Sequence, residues 1–175
     1  MYTDRTLTPR EAIRLCALGV LAGGALPYDD VVHSVRHFVQ RMTGPSLELM
    51  GESIELLKYE GLAEGEPLTI TERGREMLTA LLRAKLRAGP GDTTELVMAL
   101  KLRFLHLLSS EEQRGQVELM IETCESELAR VEDVTVDESG YLKDWLAIEA
   151  KRLAERIAFL RHMLAAGSET QRATG

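Results

Sequence analysis

The stretch SLELMGESIELLKYEGLAEGEPLTITERGREMLTALL, residues 46–82, contains the elements that decide the fold. Its first part repeats apolar residues at helical spacing and ends at Gly61, a residue type that suits the position after a helix. A turn rich in Gly and Pro then separates two short pieces with β propensity. Thr71 is a good N-cap for a further amphipathic helix. The stretch therefore predicts a helix, a small hairpin and another helix in succession.

Two helices are predicted ahead of this stretch. Thr8-Pro9-Arg10-Glu11 has the pattern of a capping box with Pro at the first helical position, and the helix it opens is apolar on nearly all sides. A second helix is predicted from about Tyr28 to Arg41, and Thr43-Gly44-Pro45 ends it. Two helices joined by a short turn are typical of a helix-turn-helix unit, and the hairpin that follows adds a wing.

The second half of the chain is predicted to be helical throughout. Ala88-Gly89-Pro90-Gly91-Asp92 cannot continue a helix, so we predict one domain over 1–88 and a C-terminal module over 89–175. A Leu-rich helix opens this module. Two long helices follow, with an acidic turn expected at 132–140.

The two long helices carry apolar residues at alternating spacings of three and four, which is the pattern of a coiled-coil seam. An antiparallel hairpin alone would leave apolar surface exposed to water, so we expect a second copy of the chain to cover it. The residues predicted at this homodimer interface are Leu146, Leu153, Ile157 and Leu160.

Charge restricts the kind of partner. The chain has 21 Lys and Arg against 28 Asp and Glu, a net charge of −7, which disfavours nucleic-acid binding by bulk attraction. Residues 1–88 hold 11 basic and 12 acidic side chains, whereas residues 89–175 hold 10 and 16. Any nucleic-acid surface is therefore expected to be local and to lie in the first half.

The cysteines and the hydropathy of the chain indicate where in the cell the protein is located. Cys16 and Cys124 lie far apart in apolar stretches and form no CxxC pattern, so we expect reduced thiols. The most apolar run, 12–26, is interrupted by Arg14 and by glycines, which makes it a poor membrane span. We expect a cytoplasmic protein without a membrane segment.

Three short motifs, in this order and spacing, resemble the PadR family of bacterial transcriptional regulators over roughly residues 10–166. They are Ser53–Leu62, Ile70–Leu78 and Lys101–Glu112. The resemblance implies a mainly α fold, a winged helix-turn-helix domain with a C-terminal helical dimerisation module. It also implies a dimeric repressor that binds a double-stranded DNA operator. The chain departs from the family pattern at Gly51, where an aromatic residue is usual, and in the acidic wing 64–66.

The predicted DNA-binding set consists of basic side chains and one hydroxyl, the groups that position a protein on phosphates. Its members are Arg36, Arg41, Ser46, Lys58, Arg73 and Arg75. However, residues 46–60 hold four Glu and one Lys, and a helix of net charge −3 is repelled by phosphates, although Glu can accept from cytosine. The alternative is a winged-helix dimer that has lost DNA binding and acts as a protein-interaction adaptor.

Asp29, His33 and His37 recur every four residues, so one helix face could present three metal ligands. A solvated polar face is the simpler interpretation, and we predict no metal and no other cofactor. The sequence has no GxSxG, no Walker loop and no Gly-rich phosphate fingerprint after a strand, so we predict no catalytic residues and no enzyme activity.

Three aromatic residues, Phe104, Tyr141 and Trp145, could line a pocket for a small-molecule effector, because aromatic faces suit planar ligands. Aromatic residues in a helical seam more often pack in a core. We also predict that Trp145 is largely buried, because it lies beside Leu142 and Leu146 on one helix.

Overall fold

The structure is a computed structural model and describes residues 6–43, 50–86 and 92–173. These ranges fold into helices with one small hairpin, which confirms the predicted mainly α, winged helix-turn-helix class. The elements are α1 (Pro9–Ala22), α2 (Tyr28–Thr43), α3 (Met50–Tyr59), β1 (Ala63–Glu64), β2 (Thr69–Ile70), α4 (Glu72–Arg83), α5 (Asp92–Phe104), a 3-10 turn (Leu105–Leu107), α6 (Ser110–Asp137) and α7 (Gly140–Ala173).

The chain divides into two compact units. The first contains α1 to α5 with the hairpin and the 3-10 turn, and the second contains α6 and α7. The sequence-based boundary at 88/89 differs from this division, because α5 packs on α1 and α2. Phe104 of α5 illustrates the packing: its ring lies over Gly19, where a Cβ atom would come within 2.5 Å of the ring.

Helix α1 is the centre of the first unit. Ile13, Leu15 and Leu18 are completely buried, and α1 packs against α2, α3, α4, α5 and β2. Its start is fixed by the predicted capping box: the Thr8 hydroxyl accepts from the Glu11 amide at 3.3 Å, and the Glu11 carboxylate accepts from the Thr8 amide at 2.8 Å. A helix that is apolar all round is stable only when neighbours cover it, so α1 organises the others.

The wing is a two-residue antiparallel ladder that pairs Ala63 with Ile70 and Glu64 with Thr69. A third short piece joins it, because Leu26 and Leu68 exchange backbone hydrogen bonds of 3.0 and 2.8 Å. Gly65 turns the chain with a φ of +82°, a conformation that glycine adopts without strain.

The start of α4 is fixed against the wing and the end of α3. The Thr71 hydroxyl donates to the Gly61 carbonyl at 2.7 Å and accepts from the Gly74 amide at 3.0 Å. Gly74 is buried so closely under the Leu62 carbonyl that a Cβ atom would lie 2.1 Å from its oxygen. The orientation of α4 relative to the wing is therefore determined at Gly74.

The apolar pattern after Thr71 predicts a helix that continues to about Arg87, whereas α4 ends at Arg83. Lys101 of α5 accounts for this end: its Nζ donates to the carbonyls of Leu82 and Ala84, each at 2.5 Å. Free carbonyls at a helix C-terminus favour a cation. Lys101 is 1% exposed, and its burial lowers the pKa of the amine to about 7.

The second unit is an α6–α7 hairpin. A capping box at Ser109 and Glu112 begins α6. The expected turn over 132–140 is wrong in extent, because α6 continues to Asp137 and the chain reverses at 138–140, where Gly140 has a φ of +62°. Acidic residues alone do not end a helix. Of the helices in the described ranges, none combines the length and apolar composition that a membrane span requires.

Replacing Gly74 by Ala should lower the free energy of unfolding by about 1–3 kcal/mol, because the new methyl group meets a backbone oxygen that cannot move alone. Gly115→Ala in α6 is the matched control, since nothing lies within 4 Å of its Cβ position. The control should be neutral or stabilising by up to about 1 kcal/mol. Urea unfolding measures both, and equal effects of the two substitutions would contradict the close approach at Gly74.

Replacing Lys101 by Met should change how stability depends on pH. The folded-state pKa of about 7 lies below the ordinary lysine pKa of 10.5, so between these values the unfolded chain binds more protons. The contribution of Lys101 to stability therefore rises as pH increases from 7 towards 10.5. The wild-type free energy of unfolding, minus that of Lys101→Met, should increase over this range. A difference independent of pH would show that the amine has an ordinary pKa.

Candidate nucleic-acid interface

The solvent face of α3, where its side chains are described, carries apolar residues and one charged residue of each sign. Ser53, Ile54 and Leu57 are buried, whereas Leu56 and Tyr59 are 38% and 91% exposed. The face also carries the exposed residues Glu55 and Lys58.

Two carboxylates lie near the start of α2. Partial burial raises the pKa of the Tyr28 hydroxyl, and the nearby carboxylates of Glu55 and Asp29 raise it further. Glu55 of α3 and Asp29 of α2 therefore lie close enough to the Tyr28 hydroxyl to raise its pKa. A surface of this kind offers a DNA backbone few cations.

Two ion pairs neutralise charges around α3. Arg14 of α1 holds Glu60 at 2.7 Å, with both side chains partly buried, and so joins the end of α3 to the central helix. The Lys58 ammonium lies 3.5 Å from the Glu66 carboxylate on the turn of the wing. Neither pair is evident from the sequence, because the partners are 46 and eight residues apart.

The predicted phosphate contacts are distributed over α2, α3 and α4. Arg36 and Arg41 are exposed on opposite flanks of α2, and Arg73 and Arg75 are exposed on either side of buried Gly74. Lys58 stands in the last turn of α3, next to the wing. Ser46 lies outside the described residues. The set therefore has no single shared face, and its role in DNA binding stays a prediction.

The polar face of α2 presents His33 and His37, whose rings stack with centroids 6.2 Å apart. Both are exposed, as is Asp29 one turn earlier. In the part of the chain that the structure describes, no group of three or more His, Cys, Asp or Glu side chains is arranged to hold a metal ion.

The three predicted pocket residues lie in different surroundings. Phe104 is buried in the first unit, and the guanidinium of its neighbour Arg103 lies 4.6 Å from the ring centre of Phe38 and 5.2 Å from that of Phe104. Tyr141 and Trp145 are 94% and 56% exposed on α7. The predicted burial of Trp145 does not occur within one chain.

The predicted dimer residues are already buried in one chain. Leu146, Leu153 and Ile157 are at most 7% exposed and Leu160 is inaccessible, in a hairpin where α7 packs on α6. Trp145 lies about 100° around the helix from Leu146, which explains its different environment. A second stripe was missed at the sequence level: Tyr141, Trp145, Ile148 and Phe159 are exposed on another face of α7.

The helix-turn-helix, its wing and the helix after it define the first unit as a winged helix-turn-helix domain. A family model of AphA-like transcriptional regulators matches residues 2–164, and the chain belongs to this PadR-like family. The match confirms the resemblance identified from the motifs. Transcriptional regulators of this family are generally not enzymes.

Solved structures similar to this chain include PadR from Bacillus subtilis, at 16% identity and a TM-score of 0.41, with 94% of this chain and 99% of that chain covered. A structure of Bacillus subtilis PadR in complex with p-coumaric acid has 17% identity and a TM-score of 0.40, with 93% and 99% covered. A comparison with curated protein sequences gave no match.

Proposed function

We propose that the chain is a dimeric DNA-binding transcriptional regulator, most simply a repressor acting at a double-stranded operator. The observation that carries this proposal is the start of α4. There Arg73 and Arg75 are exposed on a helix N-terminus that Thr71 and Gly74 fix against the wing. Helix N-termini and arginines are preferred phosphate contacts, and a fixed helix loses little entropy on binding.

The basic residues of the proposed interface have few additional cations around them. Glu72 shares the first turn of α4 with the two arginines, and Glu55 accompanies Lys58 on the solvent face of α3. Affinity is therefore limited to a few local phosphate contacts, with Arg41 at the end of α2 as a further candidate. Glu55 on the exposed face of α3 would favour sites where it accepts from cytosine.

We propose that dimerisation uses the exposed stripe of α7. Tyr141, Trp145, Ile148 and Phe159 follow spacings of four, three and eleven residues, which keep them on one helix face. Large apolar residues in such an array are covered in most native proteins. A second copy supplies the same stripe about a two-fold axis. The exposed aromatic faces of Tyr141 and Trp145 are also where we place contact with a planar small-molecule effector.

The adaptor function is favoured by one specific observation. Leu56 and Tyr59 expose apolar surface on α3, and an apolar helix face suits a protein partner better than it suits phosphates. Retention on DNA that falls with salt supports the regulator, whereas absence of DNA binding by a folded dimer supports the adaptor.

The DNA affinity of the dimer should depend weakly on salt. With few phosphates neutralised, we expect a slope of log affinity against log salt on the order of 3 to 5 per dimer. Arg73→Ala or Arg75→Ala should reduce affinity similarly for all sequences and lower the slope by about 0.9 per subunit, because each removes one phosphate contact. Fluorescence anisotropy with fragments of the source genome measures both quantities.

The control for these substitutions is Lys143→Ala, an exposed cation on α7 in the second unit, which should leave affinity and slope unchanged. Loss of binding by the control alone would move the interface to the second unit. No binding to any genomic fragment at low salt, with the dimer confirmed, would reject the regulator function.

Ile148→Glu should convert the dimer to monomers, because it places a charge in the proposed apolar stripe. Ala154→Glu is the control, since this exposed residue faces away from the stripe on the same helix. Sedimentation measures the mass of each. The emission of Trp145 should be blue-shifted in the wild type and move to longer wavelength in the Ile148→Glu monomer. A wild-type monomer at micromolar concentration would contradict dimerisation.

A further inference from the structure

We propose that Glu66 on the wing competes with DNA phosphate for Lys58, so that the wing restrains DNA binding by its own domain. This inference rests on the proposed DNA-binding function and adds a determinant of affinity at that site. Its basis is one contact: the Lys58 ammonium lies 3.5 Å from the Glu66 carboxylate.

Neutralising Lys58 removes the positive charge that α3 can offer to a DNA phosphate. It is the single basic residue between 46 and 60, and it stands in the last turn of the helix that a winged domain presents to the major groove. The neighbouring carboxylate of Glu60 is held by Arg14 at 2.7 Å. The carboxylate that contacts Lys58 is instead that of Glu66, which belongs to a different element, the wing.

The wing has no cation of its own to offset this carboxylate. Residues 63–70 contain Glu64 and Glu66 but no Lys or Arg, and both glutamates are exposed. The ladder from β1 to β2 and the turn at Gly65 hold the two glutamates at the tip of the hairpin. When Lys58 contacts a phosphate, Glu66 stays beside it, and its charge cancels part of the attraction.

The contact can open because it is exposed. The side chains of Lys58 and Glu66 are 44% and 66% accessible, and ion pairs in this environment are weak. The pair thus opens only in part when DNA is present, and it keeps Lys58 from making a full phosphate contact. Removing the carboxylate should release one full phosphate contact per subunit.

The test is the affinity of the full-length dimer for a short random-sequence duplex and for bound genomic fragments, measured by anisotropy over a range of salt. Glu66→Gln should raise affinity by about three- to tenfold at low salt and steepen the slope by about 0.9 per subunit. Glu64→Gln is the matched control, since it removes the same charge from the same hairpin but has no contact with Lys58 among those described. Its effect should be smaller.

A double-mutant cycle identifies the contact itself. In a Lys58→Met background, the gain from Glu66→Gln should fall to that from Glu64→Gln. Equal gains from the two wing variants, unaffected by Lys58→Met, would overturn the competition while leaving DNA binding by the wild type intact. A gain from Glu66→Gln that exceeds the gain from Glu64→Gln, and that Lys58→Met removes, would support it. Failure of both folded proteins to bind would overturn the proposed function and the competition together.

Discussion

The burial of α1 is the constraint on which the rest of the first unit depends. Ile13, Leu15 and Leu18 have no contact with water, and Phe104 packs directly on Gly19. Because α1 packs against α2, α3, α4 and α5, the helix-turn-helix and the helix after the wing take their positions from the same central element. Arg14 extends this control to the end of α3 through its ion pair with Glu60.

This scaffold explains how a winged domain can persist on a chain of net charge −7. Its stability comes from apolar burial and from close backbone approaches such as that at Gly74, and neither requires a basic surface. Charge at the interface can then vary with little effect on the fold. In our proposal, the pair of Lys58 with Glu66 limits how much positive charge is available to DNA.

Local sequence signals predict the elements well. The capping box at Thr8, the glycine after α3 and the turn of the wing each have a short-range physical cause, and the structure contains all of them. The end of α4 was not predictable in this way. In the sequence, Lys101 is one basic residue in a Leu-rich helix. Its amine reaches the last carbonyls of α4 only because the fold brings the two helices together.

The candidate sites were less predictable, because an apolar seam does not specify its partner. Leu153 and Leu160 have the spacing of a dimer seam, yet they are buried within one chain, and the stripe through Trp145 and Ile148 is left exposed. Likewise, the sequence does not show whether exposed arginines at several helix ends lie on the same surface of the folded protein. Long-range packing decides both questions, and no short motif reports it.

Hydrogen–deuterium exchange of the dimer with and without duplex DNA tests whether the winged domain holds the DNA surface, because it locates the contact without relying on any substitution. We expect added protection in the first turns of α4 and in the last turns of α2 and α3, with α7 unchanged by DNA. Protection confined to α6 and α7, or no change at DNA concentrations that saturate binding, would contradict the assignment of the DNA surface to the winged domain.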